Sequence, residues 1–314
     1  MTDDQVLAKS WLDALFAERG SSANTMAAYG ADLEKYLCWL SANDLTLRNV
    51  TESGILKFLA SLESAGAAET SLRRLRTTIK QIHSFLVAES HCASNPSARF
   101  ERLPRIKASP YIMHMEDVDR LLETAHQLAA DVDFGPRRQA GYARRAALLE
   151  TLYASGMRIG EVISLPASCI RPDARSLVIN GRGGKRRMVP LHTKAVEAIM
   201  RWKRMAETIG LPPSEWAFHS IKNVDAHVTR QTAFGEIKEI AVIAGIPEAH
   251  RVSPKSLRHA FGAHLLQNGA DPSSVQAMLG HAELGSMDVY TKAAQDTKLA
   301  SMGKHPLMDV LENS

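Results

Sequence analysis

The chain has 314 residues, 45% hydrophobic and 23% charged, with a mean hydropathy of −0.17. This is enough apolar side chain to bury a core in each of about two domains of roughly 150 residues, which excludes disorder as the organising state. Three scattered cysteines, Cys38, Cys92 and Cys169, exclude a disulfide framework or a zinc ribbon. The apolar stretches are helix-sized and broken by charge, unlike a membrane span. The acidic opening MTDDQVLAKS lacks the basic-then-apolar order of a signal peptide, so a cytoplasmic protein is expected.

The net charge of +4 is concentrated. Residues 101–200 carry 16 basic and 11 acidic side chains, while residues 1–100 carry 10 and 11 and residues 201–314 carry 12 of each. A basic middle third fits a phosphate-lined partner, or a solvated basic face.

Four helices are expected in the first hundred residues. Asp3 to Arg19 is periodic in Val6, Trp11, Leu12, Leu15 and Phe16, and Gly20 stops it. Asn24 or Thr25 then caps a helix presenting Tyr29, Leu33, Tyr36, Leu37 and Leu40. Thr51 to Ser64 turns Ile55, Phe58, Leu59 and Leu62 inward, and Thr70 to Glu89 repeats Leu72, Leu75, Ile79, Ile82 and Leu86 at spacings of three and four. On that fourth helix Arg73, Arg76 and Lys80 share a face, which either tracks a DNA backbone or lies solvated. The stretch RFERLPRIKASP, with Arg105 and Lys107, reads as an extended basic linker over residues 99–111, dividing a domain of residues 1–98 from one of residues 112–300.

Beyond the linker, helices are expected at Met115–Gln127 and Arg144–Ser155, with Gly156 as a left-handed terminator. Ser176–Asn180 and Arg187–Leu191 are β-type runs flanking Gly181-Arg-Gly-Gly-Lys-Arg186, a hairpin with a basic tip carrying Arg182, Lys185, Arg186 and Arg187. Further helices follow at about 193–208, 230–244, 254–268, 272–279 and 286–293.

Four segments carry side chains suited to chemistry. In Ala154-Ser-Gly-Met-Arg-Ile-Gly-Glu161, Arg158 stands at a helix start, where anions are favoured, or is salt-bridged to Glu161. The hairpin tip is the second. In Ser253-Pro-Lys-Ser-Leu-Arg258, Pro254 opens a helix with Lys255 and Arg258 on one face, and Leu257, Phe261 and Leu265 form its buried stripe. His259 and His264 have no metal-ligand spacing and read as packing or surface residues, so no metal is expected. In the fourth, Gly280 closes a helix, His281 sits in the turn, and Tyr290 follows on a short helix. Together, two arginines, one or two lysines, a histidine and a tyrosine are what metal-free phosphoryl transfer to a tyrosine requires. Paired guanidiniums neutralise a pentacoordinate phosphate, and a leaving 5′-hydroxyl needs a proton donor.

The ordered set Arg158, Arg258, His281 and Tyr290, with Asn24-Thr-Met-Ala-Ala-Tyr-Gly-Ala-Asp-Leu33 in the N-terminal half, resembles the tyrosine recombinase (phage integrase) family, and within it the Xer-type bacterial site-specific recombinases. The resemblance implies a mainly α, two-domain DNA clamp. An N-terminal helical core-binding (SAM-like) domain would precede a mostly helical catalytic domain with a small antiparallel sheet. It implies Tyr290 as nucleophile forming a 3′-phosphotyrosyl bond, Arg158 and Arg258 as the phosphate clamp, and His281 on the same phosphate. It further implies tetramers on a double-stranded recombination site, exchange through a Holliday junction, and no cofactor. Residues 301–314 would be a tail contacting a neighbouring subunit. Arg73, Arg76, Lys80, Arg105, Lys107 and Arg186 are expected to contact DNA.

Two positions depart from the family pattern. Lys255 stands where the family usually has histidine, and Arg182 where it usually has its catalytic lysine. Arginine is a poor proton donor, with a pKa above 12; Lys185 or Lys255 is therefore expected to protonate the leaving hydroxyl. The departures keep open a second reading, a recombinase-fold architectural protein with weak or no cleavage. A relaxing enzyme of topoisomerase type IB is a third. The target sequence, the need for a second recombinase, and the choice among chromosome-dimer resolution, plasmid resolution and mobile-element integration are not legible in one sequence.

Overall fold

The computed structural model describes residues 2–19, 23–100, 111–173, 176–180 and 186–280. The expected linker basics Arg105 and Lys107, the hairpin residues Arg182 and Lys185, His281, Tyr290, the helix at 286–293 and the tail lie outside the described residues, as does Gly20. The chain divides into two compact units, residues 1–107 and 108–314. It is mainly helical, and no helix among the described residues is long and apolar enough to cross a membrane.

The first unit is built from α1 (Asp3–Arg19), α2 (Ala23–Ala42), α3 (Glu52–Ser64) and α4 (Glu69–Ala88). Helix α4 packs against the other three, and its Leu75, Ile79, Ile82 and Leu86 close a core with Trp11, Tyr36, Leu40, Ile55 and Phe58. Thr51 caps α3, its hydroxyl accepting from the Gly54 amide at 3.3 Å. Asn24 and Thr25 do not cap α2; they lie in its first turn, because the helix already starts at Ala23. Asp32 of α2 is buried and is satisfied by α4: Arg74 Nε and Nη2 donate to its two oxygens at 2.8 Å, and Thr78 Oγ1 donates at 3.1 Å. This fork ties the two helices at a fixed register. Arg99 and Phe100, read as the start of the linker, instead belong to a turn. The Phe100 amide donates to Ser97 O at 3.1 Å and its ring packs on the first core.

The second unit is organised around α6 (Pro136–Ser155), which contacts α5 (Met115–Ala130), α8 (Thr193–Thr208), α9 (Arg230–Ile243) and α10 (Pro254–Gln267). Helix α6 starts eight residues before the expected Arg144. Pro136 sits in its first turn, and Ala140, Ala143, Ala146 and Ala147 carry the buried stripe. The stripe was hidden because Arg144 itself faces the core, where Glu236 of α9 pairs with it. Between α6 and α8 lie the short α7 (Ile159–Ile163) and an antiparallel pair, β1 (Ser176–Asn180) and β2 (Arg186–Pro190). In the pair's register Leu177 faces Val189 and Ile179 faces Arg187. Leu177, Ile179 and Val189 are buried, whereas Val178 and Met188 are exposed, the period-two pattern of a half-covered ribbon. The last described helix is α11 (Pro272–Leu279).

A buried histidine makes the first unit acid-sensitive. Tyr36 Oη and His83 Nε2 are 3.0 Å apart inside the core, and burial pushes the His83 pKa down to about 4. The unfolded chain takes up this proton below about pH 6.5, whereas the folded chain resists until about 4. Acid therefore favours unfolding, and the first unit is expected to lose about 3 kcal/mol as the pH falls from 6.5 to 4. Hydrogen exchange in α2 and α4 of the full chain, at pH 7 and pH 5, reads this directly. A His83→Leu variant is expected to show a flatter dependence.

Candidate active site

Helix α6 ends at Gly156, which adopts φ +58; a Cβ there would lie 2.3 Å from Phe261 Cδ1, so both the backbone and the space demand glycine. Two residues later Arg158 caps α7 with extended backbone. Glu161 closes that helix start from within. One oxygen accepts the Arg158 amide at 2.8 Å and the other accepts Arg158 Nη1 at 3.1 Å. The anion at this five-residue helix is the chain's own carboxylate, so the expected attraction for an external anion comes from the Arg158 side chain and not from the helix end.

Arg258 comes from α10, whose start is fixed by Pro254 in the first turn and by a reciprocal Ser253–Ser256 capping box. Its guanidinium is buried, with Nη1 donating to Gly156 O at 2.7 Å and Nη2 to Leu279 O at 2.5 Å. Lys255 does not accompany it. The i, i+3 spacing predicts a shared face, but Arg258 points into the junction of α6, α10 and α11 while Lys255 stays exposed on the first turn.

Helix α11 begins with an Asp271 cap on the Ser274 amide and ends at Gly280 in the left-handed region, φ +62. Its last carbonyls receive three arginines. Arg187 Nε of β2 donates to Met278 O at 2.9 Å, Arg258 to Leu279 O, and Arg158 Nη2 to Gly280 O at 3.3 Å. Arg187 also forks onto Glu161, at 3.0 and 2.7 Å. Burial pushes the Glu161 carboxyl up, but the bonds and charges of Arg187 and Arg158 outweigh it and hold the group below the usual carboxylate range. Arg230, the first residue of α9, lies against α7, its Nη2 2.8 Å from where a Gly160 Cβ would stand.

Behind these groups, His264 is a buried packing residue. Its Nδ1 is 3.0 Å from Tyr153 Oη, and its Nε2 is 3.0 Å from Met113 O. Burial lowers its pKa, and a neutral ring protonated on Nε2 satisfies both partners. It pins α10 to α6 and to the segment entering α5.

Of the residues singled out in the sequence, Arg158 and Arg258 are thus brought to one place, immediately before His281 in the chain. Arg186 is exposed on β2. In the first unit Arg73 pairs with Glu69 at 2.5 Å and Lys80 donates to Phe100 O at 3.3 Å, while Arg76 is half-buried. Sequence reasoning passed over Arg230 and placed Arg187 at the basic hairpin tip without assigning it a role in the site. For Arg187 the signal was present: it stands two residues from Val189, so alternation turns it inward with that core residue. Gly156→Ala is expected to destabilise the second unit by about 3 kcal/mol, through left-handed strain and displacement of Phe261; urea unfolding measures it.

Residues 112–297 match the phage integrase family and residues 8–90 match the N-terminal SAM-like domain of phage integrases. The tyrosine recombinase XerD of Bradyrhizobium diazoefficiens is 33% identical, covering 98% of both chains. That of Brucella suis is 36% identical, over 96% of this chain and 97% of the relative. Among solved structures, the XerH site-specific recombinase bound to palindromic difH substrate superposes with a TM-score of 0.70 at 19% identity, covering 96% of this chain and 90% of that one. A lambda integrase dimer bound to a COC′ core site gives 0.65 at 17% identity, over 90% and 94%. These last two show the fold. With both halves matched and relatives above 30% identity along nearly its whole length, this chain belongs to the phage integrase family of tyrosine recombinases, in its Xer-type branch.

Proposed function

We propose that the chain is a site-specific recombinase that cuts and rejoins double-stranded DNA through a 3′-phosphotyrosyl intermediate. The observation that carries this reading is the convergence of Arg158 and Arg258 on the last carbonyls of α11, directly before His281 and ten residues before Tyr290. The two guanidiniums sit on separate elements and reach one point, the arrangement needed to hold both non-bridging oxygens of a phosphodiester. Their Nη2 groups rest on the Gly280 and Leu279 carbonyls, and a phosphate offers stronger acceptors.

In the reaction the Tyr290 phenol attacks phosphorus and passes its proton to solvent. The guanidiniums neutralise the charge that develops on the equatorial oxygens, and His281 donates a hydrogen bond to the same phosphate. The bond to the 5′ oxygen breaks as that oxygen takes a proton from Lys185 or Lys255. One phosphoester replaces another, so a 5′-hydroxyl of a second strand reverses the step without ATP. Repeated on the other strand pair, this passes through a Holliday junction. Four copies, or two copies each of this chain and a second recombinase, supply the four tyrosines, on chromosomal or plasmid DNA in the cytoplasm. Two domains, the first reaching Phe100 and the second starting by Tyr111, with the basic stretch between them, fit a protein that grips DNA from two units. Arg73, Arg76, Lys80, Arg105, Lys107 and Arg186 would add phosphate contacts, and affinity would fall steeply with salt.

Purified protein on a core site carrying a trapping nick is expected to give a covalent protein–DNA band on a denaturing gel, absent in Tyr290→Phe. Arg158→Ala and Arg258→Ala are expected to slow its formation by about a hundredfold or more. Binding to the right site without a covalent band would favour the architectural reading. A 5′-bridging phosphorothiolate, whose sulfur leaves without a proton, separates the two lysines. It is expected to restore cleavage to whichever of Lys185→Ala and Lys255→Ala has lost the general acid; rescue of neither would rule out lysine in that role.

A further inference from the structure

Arg187 is a third guanidinium at this site, more buried than Arg158 and bound to a different acceptor from Arg258. Its side chain is 11% exposed, against 43% for Arg158. Nε, Nη1 and Nη2 are all committed, one to Met278 O and two to Glu161. What sets Arg187 apart from the no less buried Arg258 is its acceptor: both its Nη groups are held by the charged Glu161 carboxylate, which a phosphate would not readily displace, whereas Arg258 donates to neutral carbonyls and Arg158 reaches solvent. Strand β2 sets this placement: Arg187 lies opposite Ile179 on the inward face of the ribbon, two residues from the buried Val189. Gly280 leaves the room, since a Cβ there would lie 3.2 Å from Arg187 Cδ.

We propose that Arg187 is a positioning residue for phosphoryl transfer, holding Glu161, and through it Arg158, against the last turn of α11. This rests on the recombinase reading above. Glu161 carries one negative charge shared between two guanidiniums. With Arg187 in place, that charge is largely answered from behind, and Arg158 can exchange the carboxylate for a phosphate oxygen. Without Arg187, Glu161 loses its tie to the last turn of α11, and Arg158 is held there through Gly280 O alone. Among the described residues, the charged groups bonded to Glu161 are Arg158 at the α6–α7 turn and Arg187 on β2, while Arg230 of α9 lies beside the neighbouring Gly160. Removing Arg187 takes away the only one that forks onto both carboxylate oxygens among the described residues, so Glu161 then protonates at higher pH. The strand that leads out of the basic hairpin is thereby coupled to the phosphate clamp through one side chain.

The test uses the full chain and the nicked core-site substrate, with DNA affinity and single-turnover covalent-complex formation measured across pH 3.5–8 for wild type, Arg187→Ala and Arg187→Lys. Arg187→Ala is expected to bind DNA within about threefold of wild type and to cleave about a hundredfold more slowly. The acid limb of its rate profile should move up by about one pH unit. Arg187→Lys keeps the charge but cannot span a carboxylate and a carbonyl at once. It should restore the acid limb while remaining about tenfold slow, and it decides the matter if the alanine variant does not fold. Wild-type rates and limb position in both variants overturn the proposal. So does a fall in rate matched by an equal fall in affinity, which would make Arg187 a DNA contact. A wild type with no Tyr290-dependent covalent complex on its own site overturns the recombinase reading itself, and this inference with it.

Discussion

The C-terminal end of α11 gathers partial negative charge, because the last carbonyls of a helix have no partner within it and the aligned peptide dipoles point their negative end there. In this chain three successive carbonyls, those of Met278, Leu279 and Gly280, are answered by Arg187, Arg258 and Arg158. The three arginines come from a strand, a long helix and the turn after α6. One helix end thus collects three distant pieces of the sequence, and the second unit's polar centre depends on it. Like charges so close together need compensation, and Glu161 supplies it with both oxygens engaged.

The glycines at this point follow from the same crowding. Gly156 ends α6 in a left-handed conformation beneath the Phe261 ring, and its carbonyl is the second acceptor of Arg258. Gly280 ends α11 likewise and lies against the Arg187 guanidinium. Each is a helix terminator by backbone, which the sequence shows, and a contact surface by lack of a side chain, which it does not. Beneath them, His264 holds α10 to α6 through Tyr153 and to the chain entering α5 through Met113. The polar centre therefore rests on a buried, neutral, fully satisfied histidine.

The first unit solves a simpler problem. Its four helices bury aromatic and branched side chains at helical spacing, and its polar links are few. Asp32 is held in a fork by Arg74 with Thr78, and Tyr36 meets His83. Arg74 lies between two residues of the basic stripe read from the sequence, yet it turns to α2. Arg73 pairs with its own helix and Lys80 with the Phe100 carbonyl. The stripe is therefore partly engaged within the unit, and DNA would have to replace those contacts.

Much of this was legible in the sequence. Apart from α6, periodicity placed the described helices to within a few residues, since burial of one face imposes spacings of three and four. The ordered set from Arg158 to Tyr290 carried the family, because the chemistry needs those residue types. The failures share a cause. Helix α6 was read short because Arg144 is a charge buried against Glu236, and Lys255 was grouped with Arg258 because helical spacing fixes angle and not depth. What the sequence determined alone was the local: helical period and the left-handed glycines that end helices. What only the tertiary structure decided was which charges meet. Arg187 and Glu161 are 26 residues apart and Arg158 and Gly280 are 122 apart, and pairings at such separation depend on how the elements pack, which no local pattern encodes.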